Sequence, residues 1–220
     1  MKQLIIRKFT QALDYESTWE AMRDFTDQRD DNTPDELWLL EHPPVFTQGQ
    51  AGKPEHILNP NQIPVVQTDR GGQVTYHGPG QLVAYTLFDI NRLGISTRPL
   101  VRTIEQVVID CLAELQINAE AREDAPGIYV NDAKICSIGL RVRRGRSYHG
   151  IAFNIDMDLT PFSYINPCGY RGMRMTQVKD LAPQTSINDI QEKIIPYFIQ
   201  QFGYNQPVIQ EQDRLHEPAI

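Results

Sequence analysis

The chain has 220 residues, 40% hydrophobic and 22% charged, with a formal net charge of −7: the size and balance of one globular domain with a substantial core. The acidic balance excludes general nucleic-acid binding, which needs a broadly basic surface, and no run approaches the roughly 20 apolar residues of a membrane helix. The start, MKQLIIRKFTQ, lacks the apolar stretch and cleavage site of a signal peptide, and Cys111, Cys136 and Cys168 show neither C-x-x-C spacing nor a zinc-ligand pattern with the histidines, so the expectation is a cytoplasmic protein in a reducing compartment, holding no metal.

In chain order, Gln3 to Phe9 reads as an edge strand. Tyr15, Trp19, Met22 and Phe25 then recur at helical spacing and predict an amphipathic helix laid on a core. ELWLLEH, Glu36 to His42, is a strand stopped by Pro43 and Pro44, and the glycine- and proline-punctuated VFTQGQAGKPEHIL after it reads as a loop, a candidate lid or rim. It is no phosphate loop, because the G-x-x-x-x-G-K-[ST] spacing is not met, and no G-x-G-x-x-G occurs anywhere. Ile63 to Thr68 is a short strand leading into RGGQVTYHGPG, a surface loop that delivers the chain to the strand Leu82 to Ile90. Gly71, Gly72, Gly78 and Gly80 permit close backbone approaches there, while Arg70, Thr75, Tyr76 and His77 offer polar contacts at the strand's mouth.

Leu100, Ile104, Val107, Val108, Cys111, Leu112 and Leu115 share one face of a second helix, with Cys111 as buried filler. GIYV, KICSIGLRV and GIAFNID are three β-rich segments, Thr160 to Gly172 is a proline-bounded loop, and Ile187 to Phe202 is a third helix burying Ile190, Ile194, Phe198 and Phe202. Beyond Gln206 the composition turns polar and a tail is expected over about 207–220. Strand runs separated by a few long helices, without repeats or linkers, predict a single α+β domain over 1–220, with a mixed, mostly antiparallel sheet and flanking helices.

INPCGYRG sets Cys168 between Pro167 and Gly169 with Arg171 close by, a setting in which a thiol is exposed and electropositively surrounded, and so a candidate nucleophile. Cys136, in the alternating ICSIGL, belongs in the sheet. A thiol at its reference pKa of about 8.5 is only a few per cent thiolate at neutral pH and needs a base or a nearby cation. Lys134, His77 and His149 are the candidates. Arg141, Arg143, Arg144 and Arg146 form a local basic site at a hairpin tip on an otherwise acidic chain.

RGGQVTYHGPGQLVAY closely resembles the signature of the lipoyl(octanoyl) transferases, and the resemblance continues through GIYVNDAKICSIGLRV, SYHGIAFNID and PFSYINPCG, essentially the whole chain. It implies the biotin/lipoate protein ligase type of fold and transfer of an octanoyl group from acyl carrier protein to the target lysine of lipoyl domains, the first step of protein lipoylation in lipoate biosynthesis. The implied acceptors are the E2 subunits of 2-oxoacid dehydrogenases and the glycine cleavage H protein. No cofactor of the enzyme's own is implied, since the donor is carried on the phosphopantetheine of acyl carrier protein. The resemblance further implies a Cys168 and Lys134 dyad, a thioester acyl-enzyme, and a substrate site lined by Arg70, Gly71, Gly72, Gln73, Val74, Thr75, Tyr76, His77, Ser137, Ile138, Gly139, Gly150, Ile151 and Ala152. Backbone N–H groups around Gly78 or in the Cys168 loop are expected to hold the oxyanion. Both protein substrates of that family tend to be acidic near the modified group, so the arginine run is expected to dock one of them. Rival readings are an ATP-dependent ligase of the same fold, which does not need Cys168, a module that only shields an acyl chain, and a cysteine hydrolase.

Overall fold

The computed structural model describes residues 2–215. Eleven strands fall into two sheets around five helices. The strands are β1 (Gln3–Phe9), β2 (Asp35–Leu40), β3 (Val45–Gln48), β4 (Val65–Gln67), β5 (Val74–His77), β6 (Gln81–Leu87), β7 (Glu120–Ala121), β8 (Gly127–Val130), β9 (Ala133–Arg143), β10 (Arg146–Asn154) and β11 (Gln206–Gln212). The helices are α1 (Tyr15–Gln28), the one-turn α2 (Ile90–Leu93), α3 (Thr97–Glu114), the one-turn α4 (Val178–Leu181) and α5 (Ile187–Phe202). The large sheet runs β11-β1-β2-β6-β10-β9-β8-β7, parallel at β11/β1 and β1/β2 and antiparallel elsewhere, and the small one runs β4-β3-β5. This is the mixed, mostly antiparallel α+β arrangement that the sequence predicts.

Period-two alternation sorts the side chains onto two faces. On β6, Leu82 and Ala84 join the main core with α3 and α5, whereas Val83, Tyr85 and Leu87 join Met22 of α1, Trp38 and Tyr148 on the opposite face. The helices start and stop where their caps allow. The Asp14 carboxylate accepts the Ser17 N–H at α1, Ser186 and Asp189 form a reciprocal capping box at α5, and Gly203 closes α5 at φ +67.

Four expectations need correction. Gln3–Phe9 is interior, because the supposed polar tail supplies the edge strand β11, paired in parallel over Gln206–Gln212. Its polar composition suits an exposed edge. The loop expected after Pro44 begins with the buried strand β3. The surface loop expected between Arg70 and Gly80 contains β5, buried throughout and paired with β3. In both, the glycines bend the chain around a strand only four residues long, too short to announce itself by alternation. The part of the expected tail at 216–220 lies outside the described residues. Among the described residues no helix is long and apolar enough to cross a membrane, and no group of three or more His, Cys, Asp or Glu side chains is placed to hold a metal ion.

Asp35, at the start of β2, ties three elements together. Its Oδ1 accepts from Arg29 Nη2 at 2.7 Å and Arg92 Nη2 at 2.6 Å, and its Oδ2 accepts from Tyr204 Oη at 2.9 Å. The Arg29 and Asp35 side chains are almost fully buried, so replacing one strands the other's charge in low dielectric. Asp35→Ala is therefore expected to lower the free energy of unfolding by about 3–5 kcal/mol in urea titrations, the range for breaking a buried pair.

Candidate active site

The register of β9 against β10 builds the floor of the site. Ser137 lies opposite Ala152 and Gly139 opposite Gly150, so small side chains leave room above the sheet. Val83 and Tyr85 of the adjoining β6 extend this floor, and the segment 70–77 and the Cys168 loop close it over. The result is a cavity of ≈370 Å³, within the size range of small-ligand sites.

Of the fourteen residues expected to line a substrate site, thirteen border this cavity: Arg70, Gly71, Gly72, Gln73, Val74, Thr75, His77, Ser137, Ile138, Gly139, Gly150, Ile151 and Ala152. Tyr76 does not. It alternates with Thr75 and His77 on β5, turns the other way, and packs between Phe46 and Phe162 with ring centroids 5.5 Å from each. Gly78 is also absent from the lining; a Cβ there would meet the Tyr76 ring. In the Cys168 loop the N–H groups of Gly169 and Tyr170 are taken by Asn166 O and Pro167 O in a tight turn. Arg70 acts first as a knot: its guanidinium donates to Thr47 Oγ1, Thr47 O, Gly71 O and Gln73 O, which holds the glycine-rich segment against β3.

At one wall of the cavity, Lys134 Nζ donates to Cys168 Sγ at 3.1 Å and to Pro126 O at 2.9 Å, and lies 5.1 Å from the Tyr129 ring centroid. Lys134 is fully buried at the start of β9. Burial by itself would push its ammonium down, but the Cys168 sulfur and Tyr129 outweigh burial and hold it above the ordinary lysine value. Gly127 makes the approach possible, at φ +139 and with a Cβ position only 2.9 Å from Lys134 Cε, where any other residue would obstruct the lysine. Cys168 itself is half-buried and adopts φ +56, a left-handed conformation uncommon for a non-glycine residue and of a kind that clusters at functional sites. Cys111 and Cys136 are buried, and burial drives the Cys111 thiol up to about 12 and the Cys136 thiol further still.

The two histidines that compete with Lys134 as candidate bases also border the cavity, and His149 Nδ1 is buried there without a hydrogen-bond partner among the described residues. His77 Nδ1–H donates to Gln81 Oε1 at 2.8 Å, while its Nε2 accepts from Thr47 Oγ1 at 3.2 Å. His149, at φ +60, donates through Nε2 to Asp69 Oδ1 at 2.9 Å. Asp69 also accepts from Trp19 Nε1 at 2.8 Å and from the Tyr148 hydroxyl. Although partial burial pushes the Asp69 carboxyl up, these donors hold it well below the usual carboxylate range. The arginine run at the β9–β10 turn is engaged locally. Arg141 donates to Gln50 Oε1 and Arg143 to Asp27 Oδ2, both at 2.8 Å, and Arg146 reaches Asp31 and Asp89 at 3.7 and 3.8 Å.

Sequence reasoning missed Tyr15, Tyr85 and Tyr170, which also border the cavity. Tyr15 fits its helical stripe equally well as a core residue. Tyr85 carried a usable signal, because it shares the face of Val83 on a strand that leaves the glycine-rich motif. Tyr170 lies two positions beyond Cys168, in a segment whose irregular backbone gives no face to predict.

The architecture is that of the cofactor-ligase scaffold. A putative lipoate protein ligase from T. acidophilum superposes with a TM-score of 0.72 at 18% identity, covering 96% of this chain and 88% of that one. A biotin protein ligase from Aquifex aeolicus in complex with biotin and ATP superposes at 0.56 and 10% identity, covering 92% and 70%. The pattern of the lipoyl protein ligase A/B catalytic domain matches residues 14–199, and an octanoyltransferase of Coxiella burnetii (strain Dugway 5J108-111) is 59% identical over 209 residues, 95% of this chain and 86% of its own. The chain belongs to the lipoyl protein ligase A/B catalytic-domain family, in its octanoyltransferase branch.

The buried histidines set an acid limit on the fold. Burial lowers His42 to about 4 from 6.5, lowers His77 well below its ordinary value, and lowers His149 despite the opposing pull of Asp69. All three are neutral when folded, so below pH 6.5 the unfolded chain binds more protons than the native one. Their stabilisation is complete above the unfolded value and lost as pH falls through the folded one, by up to about 1.4 kcal/mol per pH unit for each histidine. Urea midpoints measured between pH 7 and pH 4.5 are expected to fall steadily over that window.

Proposed function

We propose that this protein transfers an octanoyl group from octanoyl-acyl carrier protein to the target lysine of lipoyl domains, through a thioester on Cys168. The contact that carries the reading is the 3.1 Å approach of a buried ammonium to a half-exposed thiol at the wall of an apolar-floored cavity. Relatives named octanoyltransferase support the group transferred, and a T. acidophilum neighbour described as a lipoate protein ligase with its E2 lipoyl domain supports the class of acceptor.

The alkyl chain enters over Ser137, Gly139, Gly150 and Ala152. Burying its six methylenes, at about 0.8 kcal/mol each, supplies roughly 5 kcal/mol of recognition. The Lys134 ammonium donates to Cys168 Sγ, and the sulfur attacks the thioester carbon to give a tetrahedral oxyanion that expels the pantetheine thiolate. Once Cys168 is acylated, the charge that held Lys134 above its ordinary value is gone and burial is left to favour the neutral amine. Lys134 thus gives its proton to the departing thiolate. In the second half-reaction the neutral amine takes a proton back from the attacking lysine as the amide forms and the Cys168 thiolate leaves. Thioester exchange is nearly isoenergetic and amide formation from a thioester is downhill, so the cycle needs neither ATP nor a cofactor of its own.

Two experiments test this. Intact mass after brief incubation with octanoyl-acyl carrier protein is expected to show an octanoyl adduct on the wild type and on Cys136→Ser, none on Cys168→Ser, and discharge of the adduct by a lipoyl domain. Product formed only with free octanoate and ATP, without any adduct, would replace the reading by a ligase. In single-turnover assays Lys134→Met is expected to acylate Cys168 about 10²–10⁴-fold more slowly, the usual contribution of a positioned acid–base group.

A further inference from the structure

Beside the acyl cavity lies a second depression of ≈250 Å³, and the two share a wall, since Ala125 and Tyr170 line both. Tyr170 stands between them with its hydroxyl donating to Asp124 O at 2.7 Å. The second depression is lined by Arg122, Arg171 and Arg174 together with Asp124 and Asp132. The segment bearing the last two is fixed at both ends by the reacting pair: it leaves from Cys168, and at its far end Arg174 O accepts the Lys134 N–H at 2.8 Å. Arg174 Nη2 donates to Asn131 O at 2.9 Å, which places its guanidinium at the β8–β9 turn. Arg122 is taken up by Glu120 and Asp132. Arg171 is exposed and makes no ion pair among the described residues.

We propose that this depression seats the phosphodiester of the donor's phosphopantetheine arm, with Arg171 and Arg174 as its cationic contacts. The proposal rests on the acyl-transfer reading above. With the alkyl chain inside the cavity and the thioester at Cys168, the wall the two depressions share gives the rest of the donor a way toward these arginines. An extended arm of two amide units spans on the order of 15 Å. Arg171 lies three residues along the chain from Cys168, at most about 11 Å of backbone even if fully extended, which is inside the reach of such an arm. A guanidinium fork suits phosphate oxygens geometrically, and on a chain of net charge −7 a cationic wall beside the nucleophile is where an anion is drawn. The hairpin arginines fit the task less well. Arg141, Arg143 and Arg146 already hold partners, and none of the four borders either depression.

The test uses three donors with the same acyl group: octanoyl-pantetheine, which lacks the phosphate, octanoyl-phosphopantetheine, and the octanoyl-carrier. The double variant Arg171→Gln, Arg174→Gln is expected to lose at least about tenfold in kcat/KM with both phosphate-bearing donors, the scale of a lost charge-assisted contact, and to match the wild type on octanoyl-pantetheine. The urea midpoint of the variant, which involves no donor arm, should match the wild type. Equal losses on all three donors, or a lowered midpoint, would mean that the arginines merely support the Cys168 loop and would overturn the proposal. So would the absence of any loss, or a loss confined to the carrier. A wild-type protein that takes no acyl group from any donor would instead overturn the acyl-transfer reading, before any arginine is changed.

Discussion

A lysine without solvent exposure is tolerated only if every neighbour contributes to keeping its charge. Lys134 holds one carbonyl, one sulfur and one aromatic face, and each comes from a different stretch of chain: Pro126 before β8, Cys168 in the late loop, Tyr129 on β8. Removing the sulfur's charge tips the balance toward the neutral amine, because burial is the largest influence on Lys134. The same desolvation that makes the lysine costly favours its neutral form wherever the sulfur's charge is absent.

That interaction also explains how the site is divided between rigid and irregular parts. The antiparallel trio β6, β10 and β9 supplies a floor with fixed register, which suits an alkyl chain that needs shape and little else. Cys168 sits on a tight turn in a left-handed conformation, and the turn is held by contacts at both ends: Asn166 N–H to His56 O at 2.8 Å before it, and Thr176 N–H to Lys134 O at 3.0 Å after it. A strand would have pointed the thiol into the sheet, as it does for Cys136. A loop anchored to the lysine's own backbone keeps sulfur and ammonium together while leaving the thiol half-exposed to an incoming protein.

Much of this was legible in residue pattern. The third helix runs from Ile187 to Phe202 as its apolar spacing and caps dictate, and the three late β segments are strands β8, β9 and β10. What failed did so for identifiable reasons. β3 and β5 are four-residue strands in a second sheet, buried on both faces and embedded among glycines, so neither alternation nor length marks them. β11 is polar because it is an edge, and polarity alone reads as a tail. Tyr76 was placed in the cavity because a motif was treated as one surface, although a strand within it must send alternate side chains to opposite sides. The burial of Lys134 was not legible at all. Its compensating partners are up to 34 positions away, and residue type alone predicts a solvated lysine.

The scaffold by itself does not decide the chemistry. Proteins described as lipoate and biotin ligases share it at 10–18% identity, a level at which only the fold is held in common, and one fold hosts several reactions. The deciding feature is local. An ammonium lies 3.1 Å from a thiol at the wall of the cavity, the arrangement on which the acyl-transfer proposal rests. The glycine-rich segment is knotted by Arg70 onto Thr47 and its own carbonyls, a use of the guanidinium that shapes the cavity. In this chain a floor of fixed register underlies the cavity, and an ammonium and a thiol are paired at its wall.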